Sequence, residues 1–131
     1  MEHLREKGIK IAPADAEALK LGWDMAFAAA VEPAILEEIF CDQFRWHLFS
    51  YKKLAAKVGS EADKALAEKS VRSVFVFWQY NDEAYELTEA WNLNAEDVAS
   101  LGDDVYIFDP DGCWTYVKTH EASCGPYFFK W

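Results

Sequence analysis

DDVYIFDPDGCWTYVKTHEASCGPYFF, Asp103 to Phe129, is the stretch on which the fold turns. Val105 and Ile107 on one side and Cys113, Thr115 and Val117 on the other flank Asp109-Pro110-Asp111-Gly112, where proline presets a turn and glycine admits the positive φ of a chain reversal. This pattern predicts a β-hairpin. Its second arm runs into Thr119-His120-Glu121-Ala122-Ser123-Cys124-Gly125-Pro126, a polar cluster that a strand would hold in place.

Upstream, Val71 to Tyr80 (VRSVFVFWQY) contains an almost continuous apolar run from Val74 to Trp78, as expected of a central strand covered on both faces. Between this strand and the hairpin, Tyr85, Leu87 and Trp91 suggest a helix over Asp82 to Trp91, and Asn94 to Leu101 one or two further helical turns. Nearer the N-terminus, Leu19, Trp23, Phe27 and Val31 recur every four residues, which predicts a helix over Ala14 to Val31. Pro33 breaks that run and suits the first turn of a second helix carrying Ile35, Leu36, Ile39 and Phe40 on one face. Gln43 to Ser50 reads as a strand from its aromatic density, although a continuing helix would equally align Phe40, Phe44 and Leu48. Ser60 and Asp63 resemble a cap for a helix over EADKALAEK, and the alternation of Ile9 and Ile11 suggests a short edge strand.

The expected architecture is therefore a single α/β (α+β) domain over residues 1–131, with a small mixed sheet of three to four strands, helices packed on it and the antiparallel hairpin at its end. No repeat or Gly/Ser-rich linker divides the chain. A length of 131 residues and a hydrophobic share of 52% place it among chains that fold on one core without staples.

Thirteen Lys and Arg stand against 23 Asp and Glu, a formal net charge of -10, which excludes the clustered cations of a nucleic-acid binder and disfavours an anionic membrane surface. Three cysteines, Cys41, Cys113 and Cys124, match neither a disulfide framework nor a paired zinc motif and suit a reducing cytosol. No apolar run reaches the length of a membrane span, and the N-terminus lacks the apolar core of a secretion signal.

Three segments, WHLFSY at Trp46 to Tyr51, VFVFWQY at Val74 to Tyr80 and WTYVKTHEASCGPYF at Trp114 to Phe128, together resemble a family of small bacterial proteins known only as a domain of unknown function. The resemblance implies a bacterial cytosolic protein. It carries no agreed activity and transfers no catalytic residues.

The candidate chemistry is argued from the residues themselves. His120, Glu121 and Cys124 form H-E-x-x-C, similar to the first part of a zincin motif, but that motif ends in His and needs a helix that Gly125-Pro126 would stop. Metal binding would require His47 to converge on His120 and Cys124, and no cofactor is expected. Cys124 beside His120 or His47 would alternatively make an activated thiolate. Trp46, His47, Ser50 and Tyr51 suit either a small-ligand wall or plain core packing.

Between Arg72 and Lys118 the chain has no Lys, Arg or His, yet holds Asp82, Glu83, Glu86, Glu89, Glu96, Asp97, Asp103, Asp104, Asp109 and Asp111. Such a block either steers a basic partner or serves as a solvated acidic surface. The favoured expectation is a non-enzymatic, immunity- or antitoxin-like acidic binding protein for a basic protein partner, with a homodimer also open. The competing one is a small enzyme or metal-dependent hydrolase built on His120, Glu121, Cys124 and His47.

Overall fold

The computed structural model describes residues 1–131. Seven strands form one antiparallel sheet: β1 (Lys10–Pro13), β2 (Lys57–Val58), β3 (Ser73–Trp78), β4 (Ala84–Thr88), β5 (Val105–Phe108), β6 (Trp114–Lys118) and β7 (Tyr127–Lys130), in the order β1-β4-β3-β5-β6-β7-β2. Six short helices complete the fold: α1 (Glu2–Glu6), α2 (Ala16–Ala26), α3 (Pro33–Glu38), α4 (His47–Ser50), α5 (Ser60–Lys69) and α6 (Ala95–Ala99), with one 3-10 turn at Ala28–Ala30. The α+β class agrees with expectation. The size and character of the sheet do not, since seven antiparallel strands replace a mixed sheet of three or four.

Strict alternation along the central strands divides the core into two layers. Phe77, Tyr106, Phe108, Val117, Tyr127 and Phe129 face α2, the 3-10 turn and α4. Val74, Val76, Val105, Ile107, Trp114, Tyr116 and Phe128 face α1, α5 and α6. Because both faces are covered, β3 and β5 read as continuous apolar runs.

The hairpin β5–β6 forms as predicted, but it lies inside the sheet, with β3 on one flank and β7 on the other. Gly112 takes φ 71 there, and a Cβ at that position would sit 2.9 Å from Ala26 Cβ, so the turn tucks against the end of α2. The edge strand near Ile9 and Ile11 is β1, which pairs with β4.

The helix expected over Asp82 to Trp91 is instead β4, paired on both sides by β1 and β3. The helix and strand readings compete there because Ala84 and Leu87 are both buried at a helix-like spacing, while Glu86 and Glu89 resemble a solvated helix face. Gln43 to Ser50 is not a strand. Turns lead into α4, where Trp46, Leu48 and Phe49 are buried and His47 and Tyr51 turn outward. The helix expected through Phe40 stops at Glu38; Phe40 adopts φ 57 and is 53% exposed. Gly59, not Ser60, occupies the N-cap of α5.

Candidate functional site

At one end of the sheet the chain leaves β3 and β6 and enters β5, which brings Gln79, Asp104 and His120 together. The hairpin register pairs Val105 with Lys118, so Asp104 falls beside the start of the Thr119–His120 segment. Asp104 is buried and holds a left-handed φ of 54, a conformation that Asp tolerates better than most residues. Its carboxylate accepts from the His120 backbone N–H at 3.2 Å, from His120 Nδ1 at 3.0 Å and from the Trp46 indole Nε1 at 3.0 Å. An acceptor at Nδ1 fixes the tautomer, with the proton on Nδ1 and Nε2 turned to the other side. There, Nε2 lies 3.5 Å from Glu121 Oε1.

Behind Asp104 runs a continuous polar chain. The Trp46 backbone N–H donates to the Tyr106 hydroxyl at 3.1 Å, Tyr106 donates to Gln79 Oε1, and the Arg45 N–H donates to the same oxygen at 3.0 Å. Arg45 then grips Asp24 through Nε at 2.8 Å and Nη2 at 3.1 Å. Burial pushes the Tyr106 hydroxyl well above the ordinary tyrosine range, so at neutral pH it remains a donor. No buried side-chain polar atom lacks a partner. A network satisfied in this way rigidifies its surroundings.

Above the network stands a group of rings centred on Phe44, which contacts Trp46 at 5.2 Å, His47 at 5.1 Å, His120 at 5.3 Å and Tyr80 at 5.6 Å between centroids. His47 also meets Tyr51 at 5.2 Å and donates through Nδ1 to the Ile39 carbonyl at 2.5 Å. Tyr80 donates to the Gln43 carbonyl at 2.7 Å yet is 68% exposed.

Of the four residues singled out as catalytic or metal-binding candidates, His47 and His120 share this aromatic cluster, and Glu121 borders it. Cys124 faces elsewhere. It lines a separate depression of about 450 Å³ with Phe49, Lys52, Leu54 and Tyr127, and its thiol neighbours the Tyr127 hydroxyl, whose pKa is pushed up to about 12 by burial and by that thiol. The His120–Cys124 thiolate pair and the His47, His120, Cys124 ligand set are not assembled in this geometry. No three His, Cys, Asp or Glu side chains gather closely enough to hold a metal ion.

The acidic block of the sequence disperses in space. Asp97 is buried at the N-terminal end of α6, where it completes a capping box with Asn94 and takes the Lys7 ammonium at 2.5 Å. Glu89 pairs with Lys10, Asp103 with Lys118 and Asp104 with His120, while Glu86 accepts from Ser73. The ten acids are therefore not all uncompensated, because lysines distant in sequence neutralise Asp97, Glu89 and Asp103. Asp82, Glu83, Glu96, Asp109 and Asp111 make no ion pair with a cation.

By residue type Asp104 reads as one more acid of the block, and nothing local marks it as the partner of His120. The signal lay in the hairpin: a turn at Asp109 to Gly112 places the residues just before β5 opposite those just after β6. Phe44, Gln79 and Tyr80 carried no comparable cue.

Residues 1–128 match DUF4275, a domain of unknown function. The chain belongs to this family. No curated protein and no solved structure gave a match. The family spans both the sheet and the His120 end, so the aromatic and polar cluster lies within the matched region. No helix is long and apolar enough to cross a membrane.

Proposed function

We propose that this DUF4275 domain is a non-enzymatic binding protein whose docking face is the aromatic surface at the His120 end of the sheet, and whose partner presents basic side chains. The observation that carries this reading is the ring cluster around Phe44. It leaves Tyr80 and Tyr51 largely exposed over a network that fixes the layer beneath them. Rigid aromatics of this kind supply contact area at low entropic cost, and cations pack favourably over their faces. Asp82 and Glu83 in the turn beside Tyr80, and Glu121 beside His120, have no Lys or Arg partner and give this face negative charge. A net charge of -10 adds long-range attraction for a basic partner and disfavours pairing with a second copy. An immunity- or antitoxin-like neutraliser acting in a reducing cytosol is one form this role would take. The three free cysteines suit that compartment.

The test is affinity capture at low salt, with the wild-type chain compared to a Tyr80→Ala, Glu121→Lys double variant. The expected result is a basic protein retained by the wild type alone and released as salt rises. Equal retention by both chains, or capture indifferent to salt, would sink the reading.

A second reading rests on one specific observation. Buried Asp104 orients exposed His120 as a carboxylate orients a general base. Nε2, however, looks toward Glu121 and not toward a hydroxyl or thiol. If this pair performs proton transfer, His120→Gln will abolish a turnover that Cys124→Ala leaves intact.

A further inference from the structure

A different part of the molecule contains a binding-site geometry that the docking reading does not use. Between α2, the 3-10 turn and α3 lies an open cleft of about 540 Å³. Met25, Ala28, Ala29 and Leu36 line it together with Cys41. Its size and apolar lining match those of small-molecule sites, which combine hydrophobic walls with a few polar groups that fix orientation.

The polar groups are one-sided. Asp24, Glu37, Asp42 and Arg45 border the cleft, but Arg45 is already held by both carboxylate oxygens of Asp24 and lies 5.7 Å from the centroid of the Phe77 ring. That guanidinium is neutralised before any ligand arrives. Glu37 and Asp42 are exposed, line the cleft and form no ion pair with Lys or Arg, so two free carboxylates border an apolar cavity. The Cys41 thiol is buried, and burial together with Asp24 raises its pKa to about 11, which leaves it neutral as part of the apolar lining.

We infer that this cleft binds a small apolar organic cation, an ammonium group on an aliphatic body, with the alkyl chain against Leu36, Ala28 and Ala29 and the ammonium between Glu37 and Asp42. A carboxylate of the same length would meet like charge there and is rejected. The site is independent of Tyr80 and His120, so its fate does not depend on that of the docking face.

The experiment is an amide NMR titration of the full chain with butyl-, hexyl- and octylammonium, and with hexanoate as the charge-reversed control. Saturable shifts are expected at Ala28, Ala29, Leu36 and Cys41. Affinity should rise about fourfold per added methylene, and hexanoate should bind at least about tenfold more weakly than hexylammonium. Glu37→Gln with Asp42→Asn, surface changes that leave the core intact, should bring the two hexyl ligands to within about threefold of each other. Ala29→Trp, verified as folded by circular dichroism, should fill the cleft and remove the shifts. Non-saturating or scattered shifts, equal binding of hexanoate, or an unchanged amine preference in the Glu37→Gln, Asp42→Asn variant would each overturn the inference.

Discussion

Replacing Asp104 tests whether the His120 end of the sheet is held by this one carboxylate. In Asp104→Ala the buried Trp46 indole N–H loses its acceptor, and an unsatisfied buried donor costs about 1–3 kcal/mol. The His120 donors are near solvent and recover water bonds, so their loss adds only about 0.5 kcal/mol. Alanine must also hold φ 54, which costs about 1 kcal/mol more than it does for Asp. The sum is about 2.5–4.5 kcal/mol, a large part of the stability of an ordinary domain and equivalent to a fall in Tm on the order of 10–20 °C. Asp104→Asn keeps both the backbone tolerance and an acceptor for Trp46, and should cost only about 1 kcal/mol. Asp104→Gly relieves the φ strain but not the orphaned indole, and should fall between the two. Urea denaturation of the four chains, followed by circular dichroism, measures the series. If Asp104→Ala unfolds within about 0.5 kcal/mol of the wild type, Trp46 and His120 do not depend on Asp104 and the reasoning fails.

The tight turn of the central hairpin predicts that Gly112→Ala destabilises by about 1–3 kcal/mol, through both the positive φ and the clash with Ala26, as read from the midpoint of a urea transition. Alkaline pH should unfold the chain cooperatively. Burial raises the pKa values of Cys41, Tyr106, Tyr116 and Tyr127 in the fold, so the unfolded chain loses these protons first. The stabilisation is full below the ordinary values of 9.0 and 10.0 and disappears as pH rises toward and through the folded values. A denaturation series from pH 8 to 11 checks the sign, and Cys41→Ala should weaken the decline between about pH 9 and 11. Thiol alkylation followed by mass spectrometry should modify exposed Cys113 first, half-buried Cys124 next and buried Cys41 only on unfolding. Early labelling of Cys41 would mean that the floor of its cleft opens.

The parts of the fold legible in the sequence are those in which one local signal decides. The Asp109-Pro110-Asp111-Gly112 turn and the apolar run Val74 to Trp78 locate β6, β5 and β3 because turn chemistry and two-sided burial leave few alternatives. At β4 the signals conflict, and strand pairing with β1 and β3 overrides a spacing that fits a helix. In Trp46-His47-Leu48-Phe49, aromatic density suggests β structure, yet Trp46 caps a four-residue helix, His47–Ser50, that buries Leu48 and Phe49 and leaves His47 half-buried. The candidate site was half visible. His120 and Glu121 stood out by residue type, whereas Asp104 looked like one more surface acid until the hairpin register placed it beside them.

The same register explains why the charge block misleads. A run of acids without cations over Ser73 to Val117 implies a repulsive surface only if its neighbours in space are its neighbours in sequence. In this fold Lys7 and Lys10 come from the N-terminus to meet Asp97 and Glu89, Lys118 crosses the hairpin to Asp103, and His120 closes on Asp104. The three lysine pairings place cations of the flanking segments where the acids of the middle would otherwise repel, so part of the acidity serves assembly of the sheet ends. On the proposed readings, the acids without a lysine or arginine partner are the ones that would meet a ligand. Asp82, Glu83 and Glu121 stand by the aromatic cluster, and Glu37 and Asp42 border the apolar cleft. In both places negative charge borders exposed apolar surface, so both proposals call for a ligand with an apolar body and a positive end.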